Sequence, residues 1–435
     1  MNMTKQQTIA TDTAVLSLEQ LVEFARRHSS YYARHYRQVP HSGWQISDLP
    51  LVNPRDYWEG SSELTNWPVL TGPFTDGIVF KTGGTTGASK LSIYTRSEWR
   101  TFVTSFGRNL ASQLQPGDRV ANLFFAGDLY SSFLFIHDAL AHMDIPVCEY
   151  PFSGAMESQV LFDQLNQHKI NVLLGVPAML LQFAAIIVAQ QQQLPGITLL
   201  LFGCESIFAE QMLLLKQAFP NARVASVGCA SVDAGLIGAS TPECLGGEHR
   251  VFEPETIVEI IDEVTGESIL EEGRTGMLII TTLTRKLMPL IRYPVGDLAA
   301  WREPPGKSAR KFILQGRSSL GHRIRVGYAS VFPDEFDFLI TEMLGRQLWQ
   351  LILDHHDHCE QLTLRIAFTG SDRQADALWN SIQEKDHSLA RLCEAGQLRM
   401  VIEWCRQDEL ICNSRTGKLQ RVIDRRRYVT EEAGK

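Results

Sequence analysis

Apolar residues recur every three to four positions through "LEQLVEFARRHSSYYARHYRQV", which predicts amphipathic helix over the stretch up to about Trp67. Between about residues 77 and 238 the texture changes. Short apolar runs, "VANLFFAG", "NVLLGV", "TLLLFG" and "ARVASVG", alternate there with helix-period stretches. This alternation predicts parallel βαβ units. The apolar segment "INVLLGVPAMLLQFAAIIVAQQQQ" from Ile170 is nearly long enough to span a bilayer, but Gly175 and Pro177 interrupt it. It reads as a buried strand ending near Leu174, a turn at Gly175 and a core helix starting at Pro177. From Thr256 the runs "TIVEIID", "TGMLIITTL" and "MPLIRYPVGDLAAW", joined by turns such as "EVTGES", predict antiparallel strands. After Gly316 a mixed tail of about a hundred residues carries "HRIRV", "QLWQLILD", "LTLRIAF" and "LRMVIEW" around helices beginning near Pro333 and Asp372, enough for a small α+β unit. The chain is therefore expected to be α/β, with a large N-terminal domain over 1–317 and a small C-terminal domain over 318–435.

Composition adds exclusions. A length of 435 residues calls for two or more domains. A formal net charge of -8 argues against a nucleic-acid partner, since phosphate contacts need a basic surface. Eight cysteines without framework spacing, and no secretory signal, point to a reducing cytoplasm and no membrane span. Cys229, Cys244 and His249 are zinc-type side chains, but their spacing fits none of the usual closed sites. The segment around 243–249 is expected at the surface of the strand-rich part.

The densest chemistry lies in "VFKTGGTTGASKLSIYTRSEW", residues 79–99. A Walker-type loop needs its lysine directly after the last glycine and a helix next. Here Lys90 follows Gly87 by three, and "LSIYT" alternates like a half-buried strand, so the loop joins two strands. Such a turn can still hold an anion: glycines expose backbone N–H groups, Thr82, Thr85, Thr86 and Ser89 add hydroxyls, and Lys90 adds charge. In isolation it could equally be an ordinary hairpin turn.

Five further segments follow in order: "FGCES" (202–206), "CASVDAG" (229–235), "IRYPVGDL" (291–298), "GRSS" (316–319) and "NSRTGKLQR" (413–421). This series resembles the adenylate-forming enzymes, and most closely their phenylacetate-coenzyme A ligase-like branch. The stretches "SSYYARHY", "SDLPLVNPRDYW", "MPLIRYPVGDL" and "SVFPDEFD" look like that branch in particular. The likeness spans nearly the whole chain. It implies that a carboxylate attacks the α-phosphate of ATP, giving an acyl-AMP and pyrophosphate, in chemistry that is mostly positioning and charge stabilisation.

The resemblance also implies roles. Thr82, Gly83, Gly84, Thr85, Thr86, Gly87 and Lys90 would cover the β- and γ-phosphates. Gly203 and Glu205 of "FGCES" would line the adenine slot, and Ala230 and Ser231 would also bind the nucleotide. Asp233 matches the family's magnesium-binding glutamate, Asp297 the acceptor of both ribose hydroxyls, and Arg317 an arginine near the ribose. Lys418 would reach from the small, mobile domain to the α-phosphate and the attacking carboxylate. Ala126, Gly127, Tyr130, Ala234 and Gly235 would line a fairly apolar pocket for an aromatic acid. The implied cofactors are ATP and magnesium, with coenzyme A as a possible acceptor, and the "SVDAG" motif resembles members that activate aryl acids in antibiotic (phenazine-type) pathways.

This sequence departs from the pattern. The magnesium acid is shortened to aspartate behind Val232, where a hydroxyl residue is usual, and Ser319 replaces a hinge aspartate. The departures fall on the metal and on the second half-reaction. Three outcomes stay open: transfer of the acyl group to a thiol such as coenzyme A, transfer to a carrier protein or an amine, or a degenerate protein that binds acid or nucleotide without turnover. The chain is expected to act as a monomer or homodimer.

Overall fold

The computed structural model describes residues 15–81, 90–127, 129–154, 156–204, 207, 209–317, 324–327, 329–331, 333–345, 347–356, 359–368, 375–411 and 419–426. Helix α1 (Leu18–His28) opens it, its first turn closed by a reciprocal Ser17–Gln20 capping box. Ser29 adopts extended backbone, ending α1, and its hydroxyl caps α2 (Ser30–His35) by accepting from the Tyr32 N–H. A third short helix, α3 (Pro54–Trp58), starts with Pro54 in its first turn behind the Asn53 cap. The expected amphipathic helix up to Trp67 is thus three short pieces, because Ser29 and the prolines at 40, 50 and 54 interrupt the period.

Strands β1 (Ile78–Lys81) and β2 (Leu91–Tyr94) pair antiparallel, Lys81 opposite Leu91, and helix α4 (Arg96–Leu110) follows. Next come β3 (Arg119–Asn122), α5 (Ser132–Ala141), β4 (Cys148–Tyr150), α6 (Ser158–Gln167), β5 (Val172–Gly175), α7 (Pro177–Ala189), β6 (Leu199–Phe202), α8 (Ala209–Ala218) and β7 (Arg223–Ser226). The five strands form one parallel sheet in the order β4-β3-β5-β6-β7. Neighbouring residues alternate between two cores: Val120, Val172, Leu174, Leu199 and Leu201 pack on one face, Ala121, Leu173 and Leu200 on the other. Burial on both faces is why these strands read as unbroken apolar runs. Among the described residues no helix is long and apolar enough to cross a membrane.

The remaining large sheet holds β8 (Cys229–Ser231), β9 (Gly235–Ala239), β10 (Glu248–Val251), β11 (Thr256–Ile261), β12 (Thr275–Thr282), β13 (Tyr293–Trp301) and β14 (Lys311–Arg317). They are ordered β11-β12-β13-β14-β10-β9-β8, with every recorded neighbour pair antiparallel. This sheet begins earlier than the sequence suggests. The βαβ texture is expected to run to about residue 238, but β8 folds straight back on β9 through a tight turn that Gly235 completes at φ +80°.

The N-terminal helices cover this sheet. Tyr32 and Tyr57 donate to the Pro289 carbonyl at 2.9 and 2.8 Å, and Trp58 Nε1 donates to Tyr293 Oη at 2.9 Å. A separate core lies under β15 (Ile324–Val326), β16 (Ala329–Val331), α9 (Pro333–Leu344), β17 (Leu348–His356), β18 (Cys359–Ala367), α10 (Ala375–Lys385), α11 (His387–Glu394), β19 (Leu398–Cys405) and β20 (Val422–Asp424). Strands β17 to β20 make one mixed sheet, ordered β19-β18-β17-β20.

Candidate functional site

A cavity of about 750 Å³ opens where the end of β1, the C-terminal ends of the parallel strands and the strands β8 and β13 meet. Its wall includes Lys81, Tyr130, Gly203, Ala230, Ser231, Asp233, Ala234 and Asp297. Open α/β sheets leave such crevices beyond the carboxyl ends of their strands. Six residues singled out from the sequence therefore share one space with Tyr130 and with the root of the glycine-threonine loop. Ala126, Gly127, Gly235 and Lys90 are not among its lining residues. Gly127 does pair with Tyr130, whose N–H donates to the Gly127 carbonyl at 2.8 Å. Thr82, Gly83, Gly84, Thr85, Thr86, Gly87, Glu205 and Lys418 lie outside the described residues.

Each wall element has a local cause. Lys81 ends β1, and its N–H donates to the Leu129 carbonyl at 3.0 Å, which anchors the root of the 82–89 loop beside Tyr130. Gly203 follows β6; a Cβ there would come within 2.8 Å of Val227 Cγ2 and 3.4 Å of Phe124, so only glycine lets the backbone pass. Asp297 is half-buried on β13, directly across from Arg317 on β14, with a bulge between Asp297 and Ala299. Bulges re-aim side chains next to sites.

The turn that carries Asp233 is held from four sides. Ser231 Oγ accepts from the Ala234 N–H at 3.0 Å, and Thr282 Oγ1 donates to the Ala234 carbonyl at 3.0 Å. Ser92 Oγ and Tyr94 Oη donate to the Val232 carbonyl at 2.5 and 3.0 Å. Arg285, 1% exposed, donates to the carbonyls of Asp233 at 2.8 Å and Ile93 at 2.8 Å. Its guanidinium lies 3.9 Å over the Tyr94 ring. Burial drives the Tyr94 phenol well above its ordinary value, so the ring stays neutral and its hydroxyl keeps donating. Arg285, Ser92 and Tyr94 were missed from the sequence. The available signal was a charge inside the apolar run "MLIITTLTRKLMPLI".

The segment around 243–249 is not the surface stretch that its polarity suggests. Glu248 and His249 are 3% and 4% exposed. Glu248 accepts from Arg302 at 3.1 Å and Lys311 at 3.0 Å, which makes its burial tolerable. Alternation along β10 turns His249 toward Phe312 and Ser226 instead. Among the described residues no group of three or more His, Cys, Asp or Glu side chains is arranged to hold a metal ion. Asp233 offers a single carboxylate on the cavity wall. Such a donor fits magnesium, which takes one or two carboxylates and fills its shell with phosphate oxygens and water.

No family model matches the chain. Over 94% of both chains it is 26% identical to the phenylacetate-coenzyme A ligase of Aromatoleum evansii. It is 24% identical to the phenylacetate-coenzyme A ligase of Thermus thermophilus over 80% of this chain and 81% of the relative. Among solved structures, 2-hydroxyisobutyryl-CoA ligase in complex with 2-HIB-AMP and CoA superposes with a TM-score of 0.69 at 20% identity, covering 94% of this chain and 88% of that one.

Proposed function

We propose, from the premise that this chain belongs to the phenylacetate-coenzyme A ligase-like branch of the adenylate-forming enzymes, that it is an acid-thiol ligase whose acid is aromatic and whose acceptor is coenzyme A. In the first step a carboxylate oxygen bonds to the α-phosphorus of ATP. The bond from that phosphorus to the bridging oxygen breaks, and pyrophosphate leaves. In the second, a thiolate attacks the acyl carbon, AMP departs and the thiol proton passes to solvent. The observation that carries this reading is the convergence of Gly203, the Ala230 to Ala234 segment, Asp297 and the root of the 82–89 loop on one cavity.

Within the reading, Asp297 accepts from the two ribose hydroxyls, a task suited to one carboxylate facing two adjacent donors. Gly203, Ala230 and Ser231 flank the adenine through backbone and small side chains. The 82–90 loop supplies amide and hydroxyl donors to the outer phosphates, and Asp233 would hold magnesium. When bound, that ion neutralises phosphate charge and orients the leaving pyrophosphate. Lys418 sets an ammonium beside the α-phosphate, where charge develops. Phe102, Tyr130 and Phe135 on the cavity wall, with Gly203, Ala230 and Ala234 leaving room, suit an aryl ring.

The test is carboxylate-dependent exchange of labelled pyrophosphate into ATP, run over a panel of aryl and straight-chain acids and followed by thioester formation with coenzyme A. Aryl acids should drive exchange best. Lys418→Ala should slow it about 100- to 1000-fold, the scale for removing one such electrostatic contact. Asp297→Asn should raise KM for ATP with little change in KM for the acid. ATP binding without exchange for any acid would defeat the proposal in favour of a non-catalytic binder.

A further inference from the structure

Arg285 lies within the fold and outside the cavity wall, yet it touches both pieces of backbone that frame the proposed phosphate site. One Nη atom donates to the Asp233 carbonyl at 2.8 Å and lies 3.4 Å from the Val232 carbonyl. The other donates to the Ile93 carbonyl at 2.8 Å and to Ser92 Oγ at 3.1 Å. We propose that Arg285 is a positioning residue that locks the Asp233 turn to β2, the strand leaving the glycine-threonine loop, and so fixes the spacing between phosphate donors and the acid. What that spacing is for rests on the proposed function; the lock itself rests on the geometry alone.

Three observations separate this from ordinary core packing. First, the contacts converge. Ser92 and Tyr94, two apart on β2 and so on one face of the strand, both donate to the Val232 carbonyl that Arg285 also approaches. Together with Thr282 on the Ala234 carbonyl, side chains from β2, β12 and residue 285 hold three consecutive carbonyls of one turn. Second, the segment bearing Arg285 is itself pinned. The N–H groups of Lys286 and Leu287 donate to the buried carboxylate of Glu98 at 2.6 and 2.9 Å, and Thr71 Oγ1 donates to the Lys286 carbonyl at 2.8 Å.

Third, the choice of arginine is costly. Taking a guanidinium out of water carries a penalty that an apolar side chain of similar volume would avoid. What arginine adds is a planar fork of donors reaching two backbones at once, a geometry that lysine's single ammonium cannot reproduce. Placement errors of about 1 Å near the chemistry cost on the order of 100-fold in rate, which gives such a lock a use.

The experiment compares the full chain with Arg285→Met, Arg285→Lys and Tyr94→Phe. Amide hydrogen exchange over 229–236 reads the lock without any activity, with the β3 to β7 sheet as internal control. Arg285→Met should speed exchange in 229–236 while the parallel sheet keeps its protection. KM for ATP in pyrophosphate exchange should rise about 10- to 100-fold, the usual loss when support of a metal-binding group is removed. KM for the acid should rise less than KM for ATP, because Phe102, Tyr130 and Phe135 lie outside the loosened turn and only Ala230 and Ala234 of the acid pocket belong to it. Arg285→Lys should rescue little of this, and Tyr94→Phe, which removes one of the donors to Val232, should show a weaker form of the same pattern.

The inference is overturned if folded Arg285→Met keeps both the amide protection of 229–236 and its ATP dependence, or if protection falls equally in the parallel sheet. Should that variant fail to fold, Tyr94→Phe decides by the same two readouts. A wild-type chain that binds ATP but shows no pyrophosphate exchange for any acid of the panel defeats the proposed function but not the lock, which the amide exchange still judges.

Discussion

Burial against Phe312 pushes the His249 imidazole down to about 4, so the ring stays neutral in the fold across the physiological range. In the unfolded chain the same ring titrates near 6.5. As pH falls through 6.5 the unfolded state takes up a proton that the folded state refuses, and stability is lost until pH nears 4. At pH 5 the loss relative to pH 8 should be about 2 kcal/mol. Urea unfolding at pH 8 and pH 5 checks this, because His249→Gln should flatten that part of the slope. An equal slope in both chains would assign the acid sensitivity to carboxylates instead. The same residue shows what the sequence hides. "GEHRV" is polar as text, and only pairing with β9 and β14 reveals that its glutamate and histidine are both buried, on opposite faces of the strand. Asp297 was legible as chemistry because "YPVGDL" is a compact local motif, whereas its position opposite Arg317 depends on pairing between strands and is not written locally. Arg285 left even less trace, since its partners lie at 92–94 and 232–233.

Elements were more legible where local rules act alone. Thr95 and Glu98 spell a capping box, and α4 begins there with both reciprocal bonds made. The strand β5 and helix α7 from Pro177 match the reading of the apolar run from Ile170, except that Gly175 is the last residue of the strand, paired with Phe202, and not a turn. The end of the βαβ region is placed near residue 238 by periodicity, about ten residues too late, because periodicity reports that a strand is buried but not which way its neighbour runs. Glu98 also carries a tertiary duty. One carboxylate oxygen accepts from the Thr95 N–H at 2.8 Å, while the other accepts from Lys286 and Leu287. An amide has only one acceptor oxygen, so Glu98→Gln must turn its NH2 toward at least one of these donors. With the side chain buried, the variant should lose about 1 to 3 kcal/mol of stability. A urea midpoint matching the wild type would show that the 285–287 segment is held by its other contacts.

At the scale of the molecule, cores tell which segments depend on one another. One core mixes Leu21, Tyr32, Tyr57 and Trp58 with Ile260, Leu278, Ile280, Tyr293 and Trp301, so the N-terminal helices and the seven-stranded sheet stand or fall together. Among the described residues, the core under β15 to β20 draws its buried members only from between Ile324 and Val422. A division near residue 317 follows as a proposal: 318–435 holds a complete core of its own, of a size that folds alone, whereas a chain beginning after Trp67 would strip the seven-stranded sheet of its cover. Calorimetry of the full chain should resolve two transitions. The fragment 318–435 should melt cooperatively at the temperature of one of them, and a chain starting at residue 70 should be insoluble. The division also bears on mechanism, because Lys418 belongs to the small unit while Asp233 and Asp297 belong to the large one. Fragment 1–317 should then bind ATP but exchange no pyrophosphate, and adding 318–435 in trans should restore little, since two untethered pieces lose the high effective concentration that a linker provides. A single cooperative transition, with a 318–435 fragment that shows no folded amide spectrum, would refute the division.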